Sequence, residues 1–291
     1  MTLPRCILND RTYLITRRCS ERRYFLRPDP KIVHIFEYLL GLACERYGIL
    51  LHGYVCMSNH YHLVVTDPDG VLPDFLKYFN SLLARATNCA RGRWETFWGG
   101  DSYNAVDLLE EGDVLDKLVY TLANPVSAGL VSRADAWEGA SSMSLRFGGQ
   151  RIVQKPTVFF SKRMPEQVSL ELCVPPFLAH MSGRELHGVL GERIAAIEAE
   201  YRALGRKPLG MRKVLAAHWN DSPTTQEPRR GLNPRLAAKC TATRVAAIAE
   251  FKRWVDAYRS VRARFVAGER NVEWPRGTYE MCTRHGCPMA A

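Results

Sequence analysis

Apolar residues repeat with two different periods along the first 145 residues of the chain. The run YLITRRC at 13–19 begins with β-branched and aromatic residues, which predicts a strand. Asp29-Pro30 then offers an N-cap and a first-turn proline, and apolar residues follow at helical spacing until Gly48. This pattern predicts a helix of about four turns after the first strand.

A hairpin and two further helices are predicted next. Residues 49–65 contain two β-rich runs around the turn-prone residues 57–59, and an amphipathic helix follows between about 75 and Gly92. A third helix begins near Asp113 and is expected to end at Pro125, because the residue before a proline avoids the α region. The order strand, helix, hairpin, helix, strand, helix predicts an α+β fold with a largely antiparallel sheet flanked by helices.

The pattern changes after about residue 145. Residues 151–160 and 168–177 resemble two more strands, and two long helical patterns follow at 186–204 and 245–265. We therefore divide the chain into a first domain at 1–148, a β-rich connector at 149–180 and a basic, helix-rich C-terminal extension at 181–291.

Composition narrows the class of protein. No run approaches the roughly 18 apolar residues of a membrane span, and the N-terminus lacks the layout of a signal peptide. The nine cysteines have no framework spacing, which is typical of reduced thiols. We therefore expect a cytoplasmic protein without a membrane partner.

Positive charge is concentrated in the C-terminal extension. Residues 181–291 hold 20 Lys and Arg against 11 Asp and Glu, and residues 202–244 alone hold ten basic residues. Phosphate neutralisation by Lys and Arg supplies most non-specific affinity for nucleic acid. A solvated basic surface explains the charge equally well. If the partner is DNA, the expected contacts are Arg17 and Arg18 after the first strand, and Arg212, Lys213, Arg229 and Arg230 in the basic link.

Two short motifs carry candidate chemistry. His60 and His62 alternate on a predicted strand and so share one face, where two imidazoles can bind one divalent cation. Tyr120 and Asn124 are four residues apart on the third helix, with Lys117 one turn earlier on the same face. Taken singly, each motif is more often structural: a pair of surface histidines, a packed tyrosine, or a lysine paired with Asp113.

Together the motifs resemble a known family. The hairpin VCMSNHYHLVV at 55–65, followed by KLVYTLANPVSAGLV at 117–131, resembles the REP-associated tyrosine transposases, which are single-tyrosine HUH transposases of bacteria. The resemblance covers roughly residues 10–145, about half of the chain, and implies a ferredoxin-like or RRM-like HUH core. Residues 150–291 have no counterpart in it.

The resemblance also implies roles for the motif residues. His60, His62 and Asn124 would bind Mg²⁺ or Mn²⁺, and Tyr120 would attack a phosphodiester of single-stranded or hairpin DNA to form a 5′-phosphotyrosine. The resemblance implies no role for Lys117; its place on the Tyr120 face of the helix predicts that it assists the attack by favouring the tyrosinate or holding the neighbouring phosphate. The middle residue of the histidine motif, Tyr61, is expected to face the other side of the strand. The resemblance therefore implies a bacterial enzyme that cleaves and rejoins DNA. A homodimer is one option for its assembly.

The sequence also allows two other functions. A DNA-binding regulator derived from such a transposase would use the sheet and the basic extension without cleavage. A zinc hydrolase using His60 and His62 would need a further ligand and an activated water, and the chain has no HExxH or paired CxxC motif.

Overall fold

A computed structural model of the chain describes residues 4–100, 103–225 and 234–290. Strands and helices alternate in the first half, and helices dominate the second. The strands are β1 Arg11–Arg18, β2 Leu50–Cys56, β3 His60–Asp67, β4 Asn104–Leu108, β5 Gln150–Gln154, β6 Gln167–Glu171 and β7 Leu236–Ala237. The α-helices are α1 Pro30–Tyr47, α2 Leu72–Arg91, α3 Glu111–Ser127, α4 Gly183–Ala203, α5 Met211–Ala216, α6 Thr241–Val266 and α7 Tyr279–His285.

The main sheet has five strands in the order β2-β3-β1-β4-β7. β3 pairs antiparallel with both β2 and β1, β1 pairs antiparallel with β4, and only the short β7 joins in parallel. The predicted α+β fold with a largely antiparallel sheet is therefore confirmed. The first six elements, β1 to β4 with α1 and α2, have the β-α-β-β-α-β order of ferredoxin-like folds.

Side chains alternate between the two faces of the sheet, and different helices cover each face. Tyr13, Ile15, Leu63 and Val65 pack with α1 and α2, whereas Leu14, Val64 and Val106 pack with α3. Successive side chains on a strand point to opposite faces, so His60 and His62 share the α3 face with Val64. Tyr61 points the other way, as predicted, and is fully buried with its hydroxyl donating to Asn80 Oδ1 at 2.7 Å.

Helix α3 extends past Pro125, so the prediction that this proline ends the helix is wrong. The helix continues to Ser127, and the backbone N–H of Ala128 bonds to Asn124 O at 2.9 Å. Val126 is fully buried in the core under α3. Because this packing holds the last turn, the missing N–H of one proline does not break the helix.

Helix α3 packs on the sheet at a glycine of β2. A Cβ added to Gly53 of β2 would lie 2.9 Å from Leu118 Cδ2 of α3, which is closer than ordinary packing permits. Glycine at this position lets α3 rest on the sheet.

The connector and the extension both pack on the first domain. The antiparallel pair β5 and β6 lies against α1, where a Cβ on Gly41 would be 3.0 Å from Ser169 O. Both strands are shorter than the runs predicted for them. β5 ends just before Pro156, which has no N–H for a ladder, and β6 ends at Glu171, opposite the first residue of β5. A complete capping box between Ser182 and Glu185 starts α4. The apolar face of α4 then packs against α3 through Leu186, Leu190, Ile194 and Tyr201.

Within the described ranges, no helix combines the length and the apolar character needed to cross a membrane.

Candidate functional site

The two histidines begin strand β3 on its α3 face. Their ring centroids are 4.9 Å apart, and the ring planes meet at 82°. His62 is almost fully buried, with 4% of its surface exposed, while His60 is half-buried at the end of the sheet. The tertiary structure thus places the two imidazoles side by side at the edge of the core.

His62 has one satisfied ring nitrogen and one unsatisfied one. Its Nδ1 lies 2.8 Å from Thr16 Oγ1 of the neighbouring strand β1, and its Nε2 is buried with no hydrogen-bond partner. Burial holds the pKa of His62 well below its usual value, and the nearby charges of His60 and Arg18 lower it further. When Nδ1–H donates to the threonine hydroxyl, the neutral ring keeps its lone pair on Nε2.

His60 is oriented by its neighbour in the chain. Its Nδ1 lies 2.7 Å from Asn59 Oδ1, and the Asn59 amide nitrogen donates to Arg22 O at 3.0 Å. A carboxamide oxygen can only accept, so His60 Nδ1 is the donor in this pair. In the neutral ring this tautomer gives His60 Nε2, like His62 Nε2, the character of a ligand nitrogen.

Tyr120 lies over His62 on the exposed side of α3. Its ring centroid is 5.1 Å from that of His62, the planes meet at 72°, and 44% of the residue is exposed. Leu118, Val119 and Leu122 bury the other side of the helix. The phenol is therefore both adjacent to the histidine pair and open to a large ligand.

Lys117 lies on the same exposed side of α3. Its Nζ is 5.7 Å from the Tyr120 ring centroid. Among the described residues no ion pair joins Lys117 to Asp113, whereas the next acidic residue, Asp116, pairs with both Arg193 and Lys239. The ammonium group thus stays within reach of the phenol.

Asn124 follows Tyr120 by one turn and is nearly buried, with 8% of its surface exposed. Its backbone oxygen accepts the bond that closes α3. No hydrogen bond joins its side-chain amide to His60 or His62 in the part of the chain that the structure describes. The structure therefore brings His60, His62, Tyr120 and Lys117 together, and places Asn124 one turn after Tyr120 on the same helix.

The predicted DNA-contact residues occupy different surfaces. Arg18 is exposed and lies opposite His60 in the register of β1 and β3, so it belongs to the histidine face. Arg17 pairs with Tyr61 and lies on the other face, with its guanidinium 5.6 Å from the Trp98 ring and its pKa lowered by burial.

The remaining predicted DNA contacts lie in the extension. Arg212 and Lys213 are exposed on α5, which follows a hydrogen-bonded contact between Leu209 and the loop after α3. Arg229 and Arg230 lie outside the described residues.

Two supporting residues were not identified from the sequence. Thr16 and Asn59 each hold one imidazole in place. The alternation of β1 already places Thr16 on the face of Arg18, but the pairing Thr16↔His62 depends on the register between two strands far apart in the chain. Asn59 precedes the histidines directly, and only its hydrogen bonds distinguish it from an ordinary turn residue.

Thr16 supplies a first test of the site. Thr16→Val removes the partner of His62 Nδ1, and we expect Mn²⁺ affinity, measured by titration calorimetry, to fall roughly 10- to 100-fold, as for other hydrogen bonds that orient a metal-binding imidazole. Thr16→Ser should restore it. Thr12→Val is a matched control, because Thr12 lies on the same face of β1 and bonds instead to Thr66 Oγ1 at 2.8 Å. Equal Mn²⁺ affinity in the Thr16→Val and Thr12→Val variants would disprove the orienting role.

Comparison with solved structures finds the family that the two motifs resemble. One match is a REP-associated tyrosine transposase bound to a REP hairpin, 15% identical over 49% of this chain and 82% of that chain, with a TM-score of 0.42. Another is a protein described as a transposase of Deinococcus radiodurans, 20% identical over 40% of this chain and 93% of that one, with a TM-score of 0.31. Likeness at this level transfers no activity to this chain. No protein-family model and no curated protein matches the chain.

Proposed function

We propose that this protein is a metal-dependent transposase or endonuclease that cleaves and rejoins single-stranded DNA through a 5′-phosphotyrosine at Tyr120. The observation that carries the proposal is the exposed Tyr120 ring 5.1 Å from His62, whose Nε2 is buried without a partner. A buried nitrogen left unsatisfied costs about 1–3 kcal/mol, so such a group in a native protein requires an explanation. A bound cation beside the nucleophile provides one.

The residues present fit a divalent metal. His62 and His60 would hold it through Nε2, since the Nδ1 atoms are engaged by Thr16 and Asn59. Over residues 4–100, 103–225 and 234–290, no three His, Cys, Asp or Glu side chains form a metal-binding group. Asn124, water and phosphate oxygens are the oxygen ligands that Mg²⁺ or Mn²⁺ would add. When bound, the metal would polarise the scissile phosphate and stabilise charge on its oxygens.

The chain's own residues carry the proposed covalent step. A phenol is largely protonated at neutral pH, so Tyr120 must lose its proton as it attacks. A bond forms between Tyr120 Oη and phosphorus while the bond from phosphorus to the 3′-oxygen breaks, and the leaving oxygen takes up a proton as a free 3′-hydroxyl. One phosphoester replaces another, so attack by a 3′-hydroxyl on the phosphotyrosine reverses the step and rejoins DNA without a nucleotide cofactor.

Several features of the site favour a single-stranded or hairpin DNA substrate. Arg18 lies on the histidine face and Lys117 beside the nucleophile, so cations stand where a phosphate backbone would pass. Tyr120 is 44% exposed, so a polymeric substrate can reach its hydroxyl. His60, His62, Tyr120 and Lys117 of one chain lie together, and a homodimer stays an option for this protein.

The proposal is tested by trapping the adduct. The protein is incubated with Mn²⁺ or Mg²⁺ and a pool of random single-stranded and hairpin DNA, and the covalent complex is digested and analysed by mass spectrometry. We expect a nucleotide on the Tyr120 peptide, and sequencing of the trapped DNA gives the preferred site. DNA binding without an adduct would favour the regulator, and cleavage independent of Tyr120 would favour a hydrolase.

Lys117 is expected to accelerate the attack. Its ammonium group near the phenol can favour the tyrosinate or hold the neighbouring phosphate. Lys117→Met should therefore slow single-turnover cleavage at saturating DNA and metal by roughly ten-fold or more, about 1.4 kcal/mol of barrier, with little change in melting temperature. Lys207→Met, an exposed lysine of the extension, is the control. Wild-type kinetics in Lys117→Met would make this lysine a solvated surface residue.

The basic extension is expected to bind DNA only where its charges are not already used within the fold. Lys239 pairs with Asp116, whereas neither Arg212 nor Lys213 has a side-chain partner among the described residues. Replacing both by Gln should weaken single-stranded DNA binding and reduce the slope of log affinity against log salt by about 0.7 for each phosphate that the protein no longer neutralises.

Substitutions are a sharper test than a truncation after residue 180, because a truncation would expose the core contacts of α4 with α3. Arg184→Gln is the control for Arg212 and Lys213. If the salt slope of the double variant equals that of the control, the charge excess on α5 is incidental to DNA binding.

A further inference from the structure

A cavity lies on the face of the sheet opposite the histidines. It has a volume of about 720 Å³ and opens between β4, the first residues of β1 and helix α6. Tyr13 and Asp107 line it and pair in register, while their neighbours Leu14 and Val106 pack under α3. The cavity reaches along β4 as far as Asn104, which pairs with Thr16, the hydrogen-bond partner of His62. The cavity and the histidines are therefore separated by the sheet itself, one on each face.

Aromatic and basic side chains share the walls of this cavity. Tyr103 faces it from beside β4, and Phe251 and Trp254 face it from α6. Guanidinium groups already stack on two of these rings, Arg5 at 3.8 Å from the Tyr103 centroid and Arg235 at 5.3 Å from that of Phe251. Such walls are typical of sites that hold a flat, electron-rich ring next to a phosphate.

Two further arginines lie at the rim of the cavity. Arg253 and Arg276 line the cavity and are exposed, and their side chains form no hydrogen bond or ion pair within the described residues. The backbone oxygen of Arg276 accepts from Trp254 Nε1 at 2.7 Å, which holds this part of the rim against α6. The rim therefore offers positive charge at a defined place beside the aromatic walls.

A carboxylate at the floor of the cavity has one unsatisfied oxygen. Asp107 Oδ2 lies 3.7 Å from Arg11, but Oδ1 is buried without a hydrogen bond. Burial raises the pKa of Asp107 to about 6, so the carboxyl is mostly ionised at neutral pH and can act only as an acceptor. A ligand group that donates an N–H would satisfy this oxygen.

We infer that this cavity binds an unpaired nucleotide, with the base between the aromatic walls, an N–H of the base on Asp107 and the phosphate at Arg253 and Arg276. The cavity volume falls in the range of ordinary small-molecule sites, about 300–1,000 Å³. An anionic ligand without a ring would leave the aromatic walls unused, and an apolar ligand would leave Asp107 and the rim arginines unpaired. The ligand is either a free nucleotide or one nucleotide of a DNA strand. The inference does not depend on cleavage at Tyr120.

Full-length protein titrated with 5′-mononucleotides by calorimetry tests the inference. We expect deoxyguanosine monophosphate, whose base offers adjacent N–H donors, to bind with a stoichiometry of one. Arg253→Glu should weaken binding at least five-fold, whereas Lys252→Glu, the adjacent exposed residue of α6 outside the cavity, should leave it unchanged. Asp107→Asn should weaken binding of the guanine nucleotide at least five-fold, with Asp135→Asn as the matched control.

A competition experiment distinguishes a free nucleotide from a nucleotide of a DNA strand. A single-stranded oligonucleotide that competes with the bound mononucleotide at equal or lower concentration identifies a DNA strand as the ligand, and failure to compete identifies the free nucleotide. Tyr120→Phe, at an exposed residue outside the cavity, should leave nucleotide binding unchanged, so failure of the cleavage proposal does not affect this result. Absence of binding at millimolar nucleotide, or equal affinities in the Arg253→Glu and Lys252→Glu proteins, would overturn the inference.

Discussion

Tyr120→Phe is expected to abolish the covalent complex with DNA and to reduce cleavage by at least roughly a thousand-fold, about 4 kcal/mol of barrier. The substitution removes one oxygen, the atom that would bond to phosphorus. Because the Tyr120 hydroxyl has no hydrogen-bond partner among the described residues and the residue is 44% exposed, the melting temperature should stay close to that of the wild type. DNA affinity should also be retained, because phosphate contacts come from Arg and Lys side chains.

The readout for Tyr120→Phe is a denaturing gel that separates free from protein-linked DNA. Tyr24→Phe is the matched control, since Tyr24 is a partly exposed tyrosine beside the end of the sheet whose hydroxyl has no hydrogen bond within the described residues. If Tyr120→Phe forms the adduct in undiminished yield and the adduct maps to another tyrosine, the nucleophile is not Tyr120.

Removal of either histidine is expected to have the second large effect. His60→Ala and His62→Ala should lower cleavage by at least roughly a hundred-fold, about 2.7 kcal/mol, and should lower Mn²⁺ affinity in parallel. The reason is that the two rings, 4.9 Å apart, are the nitrogen ligands proposed for one cation. Single-stranded DNA affinity without metal should change little.

Because His62 is buried, a second variant is needed to separate loss of metal binding from loss of stability. His62 is 4% exposed, so alanine leaves a cavity and can destabilise the fold for reasons unrelated to metal. His62→Gln preserves most of the volume, and the loss of Mn²⁺ binding in a protein with a normal melting temperature separates the two effects. His187→Ala, on the exposed side of α4, is the control. Wild-type cleavage by either His60 or His62 variant would rule out the shared cation.

The order and type of the elements around the site were predictable because they depend on local periodicity. Strands β1 and β3 and helices α1 and α3 lie close to the predicted positions, since apolar spacing near 2 or 3.6 residues selects one type of element. Boundaries that depend on tertiary packing were less predictable. The C-terminal end of α3 lies beyond Pro125 because Val126 is buried, and β6 ends at Glu171 because its partner β5 begins opposite that residue.

By itself the sequence determined which residues could act together on one element: His60 with His62 on a strand, and Lys117 with Tyr120 on a helix. Only the tertiary structure decided that these pairs meet, because the separation of Tyr120 and His62 depends on how α3 packs on the sheet. The pairing of Thr16 with His62 and the separation of Arg17 from Arg18 follow from strand register and sheet face. Contacts of this kind join residues far apart in the chain, and a local pattern of apolar and polar positions contains no information about them.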